Sequence, residues 1–182
     1  MADYRRVRVE GGTYFFTLVT NRRQPLFLLP EARRVLRHAM VQVRSSRPFT
    51  LDAAVLLPDH LHMLVTLPSG DADYATRIML FKKRFTEIAK RCTTLCEGPV
   101  TKEAKRRGEA GFWQRRYWEH TIRNGADYEH HLDYMMFNPV KHGLVSKATD
   151  WPHSSFHHLV RRGLYSIGWG GTKEIISMDA GE

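Results

Sequence analysis

Hydrophobic positions along this chain of 182 residues follow two spacings. Short runs rich in β-branched and aromatic side chains predict strands, whereas apolar positions three or four residues apart predict amphipathic helices. Glycine and proline separate these segments. The predicted strands cover residues 13–20, 51–57, 60–67 and 116–122, and the predicted helices cover residues 31–46, 72–92 and 127–137.

The order of these elements is strand, helix, strand, strand, helix, strand, helix. The first six match the split β-α-β pattern, which predicts an α+β, ferredoxin-like fold with a central antiparallel sheet. In that topology the first and third strands are central, so we expect strand 60–67 in the middle of the sheet. We expect one domain over residues 1–182, with a basic N-terminal arm (1–12), a polar loop (93–111) and a C-terminal tail wrapped on the surface (146–182).

Charge indicates the kind of partner. Lys and Arg total 28 against 19 Asp and Glu, a formal net charge of +9. This excess favours an anionic partner, nucleic acid first, although an ordinary basic protein has the same composition. The two cysteines, Cys92 and Cys96, indicate neither a disulfide framework nor a zinc knuckle. Because we find no long apolar run and no signal-peptide core, we expect a cytoplasmic protein without a membrane partner.

Two histidines, His60 and His62, lie in the apolar run LLPDHLHMLV at residues 56–65. Alternate side chains of a strand point to the same face, so both imidazoles are expected on one side of the strand. Two imidazoles on one rigid face can hold a metal ion, and a metal ion polarises phosphate oxygens. The pair alone is a weak signal, because two polar residues on an open sheet face give the same pattern.

The helix predicted over residues 127–137 has an apolar and a polar side. The apolar side, expected to face the core, carries Tyr128, Leu132, Met135 and Met136. The roughly opposite side carries Asp127, His131, Tyr134 and Asn138. A phenol on the polar side can act as a nucleophile if a cation or base lies nearby. The carbonyl oxygen of Asn138 can join a metal ion held by the histidine pair.

These residues also have ordinary structural interpretations. On its own, Tyr134 is more typical of a surface tyrosine. Asn138 directly before Pro139 is a good N-cap and first-turn pair for a short new helix that ends at Gly143. The other adjacent histidines are expected on the solvated surface, namely His130, His131, His157 and His158.

Several longer motifs follow one another along most of the chain, and together they carry a resemblance. They are YRR (4–6), GGTYFFT (11–17), RPF (47–49), LLPDHLHMLVTLP (56–68), FKKRFT (81–86), FWQRRYWEHTIRN (112–124), DYEHHLDYMMFNPVKHGLV (127–145) and DWPHSSFH (150–157). With these motifs the chain resembles the REP-associated tyrosine transposases, within the single-tyrosine HUH transposase superfamily. The polar insert at 93–111 and the C-terminal end fall outside the resemblance.

The resemblance implies site residues. The HUH motif of the family lies on a central strand and matches His60 and His62. The nucleophilic tyrosine of the family lies on a following helix and matches Tyr134, and a polar metal ligand one helical turn later matches Asn138. Tyr117 and Tyr128 are the alternative nucleophiles, ranked lower because Tyr117 falls in the predicted strand and Tyr128 faces the core.

The resemblance also implies a reaction. The tyrosine attacks a phosphate of single-stranded or hairpin DNA with help from a divalent metal ion, Mn²⁺ or Mg²⁺. A 5′-phosphotyrosine forms, a free 3′-OH leaves, and the reverse step rejoins strands. The implied substrates are repetitive extragenic palindromes with a short flanking tetranucleotide, in a transposase-like or domesticated role. We expect a monomer or a weak dimer, and we expect manganese to support the reaction well because imidazole ligands are unusual for magnesium.

Basic and aromatic residues in two of these motifs are the predicted DNA contacts, namely Tyr4, Arg5, Arg6, Arg115 and Arg116. Two other functions stay open. A basic ferredoxin-like domain is also typical of a non-catalytic RRM-like nucleic-acid-binding module, but only Tyr14 and Phe16 on the first strand offer it an aromatic platform. A metal-dependent nuclease without a covalent intermediate would cleave DNA without the Tyr134 hydroxyl.

Overall fold

The computed structural model describes residues 7–95, 102, 106 and 111–171. Its four strands are β1 (Thr13–Val19), β2 (Thr50–Leu56), β3 (His60–Thr66) and β4 (Trp118–Thr121). They form one antiparallel sheet in the order β2-β3-β1-β4. This order confirms the predicted α+β, ferredoxin-like fold, and it places the histidine strand β3 in the centre of the sheet.

Helices cover both faces of this sheet. They are α1 (Pro30–Ser46), α2 (Tyr74–Ala89), α3 (Gly125–Lys141) and the short α4 (Phe156–Arg161). Buried side chains of α1 and α2 pack with Tyr14, Phe16 and Leu18 of β1 in one core. Buried side chains of α3 and α4 pack with Phe15 of β1 in a second core on the opposite face. Successive side chains of β1 therefore point into opposite cores, as expected for a strand with both faces buried.

Helix α3 passes through Pro139 and ends at Lys141. The prediction that Asn138 caps a new helix is therefore wrong. Proline lacks an N–H group and removes one hydrogen bond of the helix. The ladder continues beyond it, because His142 N donates to Asn138 O at 3.0 Å. The helix then closes in a capping motif, in which Leu144 N donates to Pro139 O at 2.9 Å. Burial of both Asn138 and Pro139 stabilises the helix at this point.

The C-terminal segment does more than wrap the surface. Phe156 and Leu159 of α4 are buried in the second core. Ser155 Oγ accepts a hydrogen bond from Ala54 N on β2 at 2.9 Å, which ties the segment to the sheet. Most of the predicted polar loop at 93–111 lies outside the described residues. Among the helices that the structure describes, none has the length and apolar character needed to cross a membrane.

Candidate active site

The histidine pair lies at the start of β3, under α3. His60 and His62 project from the same face of the strand, as their spacing predicts, and their ring centroids lie 4.8 Å apart. Their exposed fractions are 1% and 0%, so they do not lie on an open sheet face. Both imidazoles therefore face the protein interior, where a metal ion would be shielded from water.

Each imidazole is oriented through its Nδ1 atom. His60 Nδ1 lies 2.6 Å from Asp59 Oδ1, and His62 Nδ1 lies 2.9 Å from Thr17 Oγ1 on β1. Because a carboxylate only accepts, the neutral form of His60 carries its hydrogen on Nδ1 and its lone pair on Nε2. His60 Nε2 is buried and makes no hydrogen bond to the described residues. A carboxylate behind a histidine is the usual arrangement where Nε2 binds a metal ion.

The charge states of the site also suit metal binding. Burial, and after it the charge of His60, lowers the pKa of His62 well below its ordinary value of 6.5. Burial acts to raise the pKa of Asp59, but hydrogen bonds and charges from His60 and Arg23 outweigh it and lower that pKa. Near neutral pH the site thus has a neutral His62 and an ionised Asp59. Metal ions bind imidazole in its neutral form.

Helix α3 brings Tyr134 against the pair. The centroid of its ring lies 5.6 Å from that of His62 and 6.1 Å from that of Phe15 on β1. The Tyr134 side chain is fully buried. The expectation that its side of the helix lies away from the core is wrong, since Asp127, His131, Tyr134 and Asn138 are all buried.

The reason is that α3 packs on two sides. Its polar side faces the central strands, where Phe15 also contacts the ring of His131 at 5.1 Å between centroids. On its other side, Ser154 Oγ lies 3.6 Å from Met136 Sδ, and the ring of Trp169 lies 6.3 Å from that of Phe137. The C-terminal segment thus supplies a second packing partner, which the periodicity of α3 alone does not reveal.

Asn138 lies one helical turn after Tyr134 and is fully buried. Its side chain forms a hydrogen bond with His62. The structure therefore brings four predicted residues into one cluster, namely His60, His62, Tyr134 and Asn138. The side chain of Asn138 thus lies beside the histidine pair.

Two basic residues at the C-terminal end of α3 complete this cluster, and the sequence patterns did not single them out. Lys141 Nζ lies 4.9 Å from the centroid of the Tyr134 ring. The ring of His142 lies 5.4 Å from that of His60. The spacing could have indicated Lys141, because residues 134, 138 and 141 lie on one side of a helix.

A second polar group lies beside this cluster, on β4 and the first half of α3. His120, Asp127 and His131 offer ligand atoms within 4.8 Å of one another, close enough to hold a metal ion. The rings of His120 and His131 are stacked, with centroids 4.3 Å apart and an interplanar angle of 17°. Lone pairs of parallel rings do not converge on one point, so this arrangement is better described as a hydrogen-bonded network. The expectation that His131 lies on the surface is wrong.

Asp127 is the centre of this network. Its Oδ2 accepts hydrogen bonds from Arg123 N and Nε, each at 3.0 Å, and lies 2.9 Å from His120 Nε2. Its backbone N donates to the capping Asn124 Oδ1 at 2.9 Å. Burial acts to raise the pKa of Asp127, but the hydrogen bonds from Arg123 and His120 outweigh it and hold the pKa far below the usual range. The network fixes the start of α3 to β4.

Replacing Asp127 with asparagine is expected to lower the free energy of unfolding by about 1–3 kcal/mol, since charged hydrogen bonds are lost at a buried position. Urea unfolding at pH 7 measures this. The pKa of this carboxyl is lowered on folding, so its contribution is full above the unfolded value of 3.8 and declines as the pH falls below it. The exposed Glu129→Gln serves as the control. A variant as stable as the wild type at pH 7 would contradict the anchoring role.

The alternative tyrosines lie elsewhere. The ring of Tyr117 lies 6.0 Å from that of Phe16, in the core on the face opposite to the histidines. Tyr128 is half-buried, and burial, followed by the charge of Asp52 on β2, raises its pKa. Geometry therefore favours Tyr134 over both as the tyrosine of the histidine cluster.

The structure describes only two of the five predicted DNA-contact residues. Tyr4, Arg5 and Arg6 lie outside the described residues. Arg115 and Arg116 are exposed just before β4. Lys82 Nζ on α2 donates to the carbonyl oxygens of Gln114 and Arg115 at 2.5 and 3.2 Å. Arg115 thus borders a groove of about 440 Å³ beside α2, on the sheet face opposite to the histidines.

A buried histidine pair on the central strand of a ferredoxin-like sheet, faced by a tyrosine on a helix, is the arrangement of the HUH transposase class. Comparison with known proteins identifies the family within it. The chain is 44% identical over 183 residues to the REP-associated tyrosine transposase of Escherichia coli K12, covering 100% of this chain and 98% of that protein. It is 42% identical over 176 residues to a putative REP-associated tyrosine transposase of Haemophilus influenzae, covering 96% and 97%.

A solved structure agrees with these relatives. The structure of a REP-associated tyrosine transposase bound to a REP hairpin matches with a TM-score of 0.82 and 44% identity, covering 100% of this chain and 98% of that one. No family model matches the chain. At this identity over the full length, the chain belongs to the REP-associated tyrosine transposases, a family of enzymes. The resemblance carried by the motifs is confirmed.

Proposed function

We propose that this protein cuts and rejoins single-stranded or hairpin DNA of repetitive extragenic palindromes through a 5′-phosphotyrosine on Tyr134. The observation that carries the proposal is the contact between the helix and the strand, with the Tyr134 ring 5.6 Å from that of the buried His62. The full-length match to a relative bound to a REP hairpin supports this class of substrate. The net charge of +9 suits a polyanion.

In the cutting step, Tyr134 Oη forms a bond to phosphorus while the bond from phosphorus to the 3′-oxygen breaks. The phenol loses its proton and the departing 3′-oxygen takes one up, so the step is balanced. The DNA stays attached to the protein through its 5′-phosphate. A 3′-OH can then attack the phosphotyrosine and reverse the step, which gives strand transfer rather than hydrolysis.

His60, His62 and Asn138 would hold the divalent metal ion. The donors fit such an ion, because His60 Nε2 is buried with no hydrogen bond to the described residues, His62 is neutral, and Asn138 offers an amide oxygen beside them. An ion bound there would supply Lewis-acid polarisation of the scissile phosphate. Of the two metals expected, Mn²⁺ suits two imidazole nitrogens better than Mg²⁺, which prefers oxygen ligands.

The RRM-like alternative loses support from the fold. Modules of that type stack bases on aromatic residues of an open sheet face. Here helices cover both faces, and Tyr14 and Phe16 are fully buried in the first core. The DNA contacts at Tyr4, Arg5, Arg6, Arg115 and Arg116, the cytoplasmic location, the single domain and the monomeric or weakly dimeric state stay predictions.

The test is to locate the covalent bond. A hairpin oligonucleotide with single-stranded flanks is incubated with protein and Mn²⁺, the adduct is trimmed with nuclease, and its tryptic peptides are sequenced by mass spectrometry. Trypsin releases residues 124–141 as one peptide with two tyrosines, so fragmentation must separate them. A nucleotide on Tyr134 is expected. A nucleotide on Tyr128 or Tyr117 would overturn the assignment, and cleavage without any adduct would favour a metal-dependent nuclease.

A further inference from the structure

We propose that Lys141 takes part in the reaction by stabilising the negative charge that develops on the oxygen of Tyr134. This inference rests on the proposed function, because it concerns the same nucleophile. It adds a residue that the family motifs, as matched to this chain, did not assign.

Geometry places the ammonium group of Lys141 over the ring of Tyr134. Lys141 Nζ lies 4.9 Å from the centroid of the Tyr134 ring, within the range of a cation–π contact. The side chain is half-buried at the end of α3. Its positive charge also acts on His62 and on His142, so it lies within reach of the whole cluster.

The charge balance of the buried site favours a cation beside Tyr134. Tyr134 is fully buried, and a phenolate in a region of low dielectric constant is strongly disfavoured unless a cation lies nearby. The negative charge of a phenolate spreads into its ring. A cation over the ring face therefore attracts the phenolate more strongly than the neutral phenol, which is the condition for lowering a reaction barrier.

A plainer role for Lys141 follows from its position at the C-terminus of a helix, where a cation interacts favourably with the helix dipole. That role is satisfied by a lysine extended into solvent, and it requires no contact with Tyr134. The observed contact with the ring is thus the feature that indicates chemistry. The two roles differ in what a variant changes, because a dipole interaction affects stability and a contact with the nucleophile affects rate.

The reverse step gives a second consequence. When a 3′-OH attacks the phosphotyrosine, the Tyr134 oxygen becomes the leaving group and carries the same developing charge. A cation at this place speeds cutting and rejoining alike. Its loss should therefore slow both directions without shifting how much adduct is present at equilibrium.

The experiment compares Lys141→Met, which removes the charge and keeps an unbranched apolar stem, with Lys141→Arg, which keeps the charge. The exposed Lys147→Met is the control. Single-turnover cutting and rejoining of a hairpin oligonucleotide are measured with Mn²⁺, together with hairpin affinity in the absence of metal. We expect the Met variant to slow both steps by a factor on the order of 100, and the Arg variant to restore most of the rate. Affinity should change less than about threefold in either variant, because the proposed role is in the transition state.

Three outcomes would overturn the proposal. If the wild type cuts with an adduct and the Met variant does so at the same rate, Lys141 has no role in the reaction while the proposed function stands. If the Met variant loses hairpin affinity and keeps its rate, Lys141 is a DNA contact. If the wild type forms no adduct on any tyrosine, the proposed function and this inference fail together.

Discussion

Replacing Tyr134 with phenylalanine is expected to remove the covalent protein–DNA adduct, lowering its rate of formation on the order of 1000-fold or more. The phenol oxygen is the only nucleophile in the proposed step, and phenylalanine lacks it. The ring contacts with His62, Phe15 and Lys141 remain possible in the variant, so the site should keep its shape. The change is thus confined to chemistry, apart from about 1 kcal/mol of stability for a lost hydroxyl.

The measurement is a denaturing gel of a labelled REP hairpin with single-stranded flanks, incubated with protein and Mn²⁺. A slowly migrating band marks the adduct. Tyr128→Phe and Tyr117→Phe are matched controls, since each removes one partly or fully buried hydroxyl outside the histidine cluster. Both should keep the band. An unchanged band in Tyr134→Phe, or its loss only in a control variant, would show that another tyrosine is the nucleophile.

The sequence was sufficient to predict most of the fold because both kinds of periodicity are strong. Four strands and the first two helices occur where alternation and helical spacing predicted them, with ends shifted by a few residues. The end of α3 was missed for a local reason. Asn138 followed by Pro139 is a strong start signal for a helix, but burial on both sides of α3 stabilises the helix through the proline.

The candidate site, like the fold, was predictable from the sequence only in part. His60 and His62 were predicted to share a face because a strand imposes a period of two on its side chains. The burial of Tyr134 and His131 was not predictable from α3 alone, since it depends on β1 below the helix and on the C-terminal segment above it. Lys141 and His142 were missed because their contacts arise only when the end of α3 packs over β3.

Replacing His62 with glutamine is expected to lower Mn²⁺ affinity by more than about 100-fold, because losing a residue that only supports a ligand already costs about 10- to 100-fold. Cutting should fall with it and recover in part at high metal concentration. Glutamine is neutral, like the buried His62, and its amide can still reach Thr17 on β1. The variant thus removes an imidazole nitrogen without burying a charge.

Mn²⁺ binding is followed by calorimetry or electron paramagnetic resonance, and cutting is followed on the same hairpin. His130→Gln, an exposed histidine of α3, is the control and should match the wild type. The number of Mn²⁺ ions that each variant binds shows whether the metal site is the pair His60 and His62 or the group around Asp127. If the parallel rings of His120 and His131 make a hydrogen-bonded network, the wild type binds one ion and His62→Gln binds none at the same concentration.

If instead His62→Gln keeps one tightly bound ion and His131→Gln loses it, the metal belongs to the group around Asp127. Cutting then separates two mechanisms. An ion at Asp127 lies beside the start of α3 and would act on the position of the helix, so both variants would keep some adduct formation. If His62→Gln alone loses cutting and also loses Mn²⁺ binding, the ion must bind at the histidine pair that faces Tyr134. The buried Nε2 of His60, oriented by the Asp59 carboxylate, is the reason to expect that result.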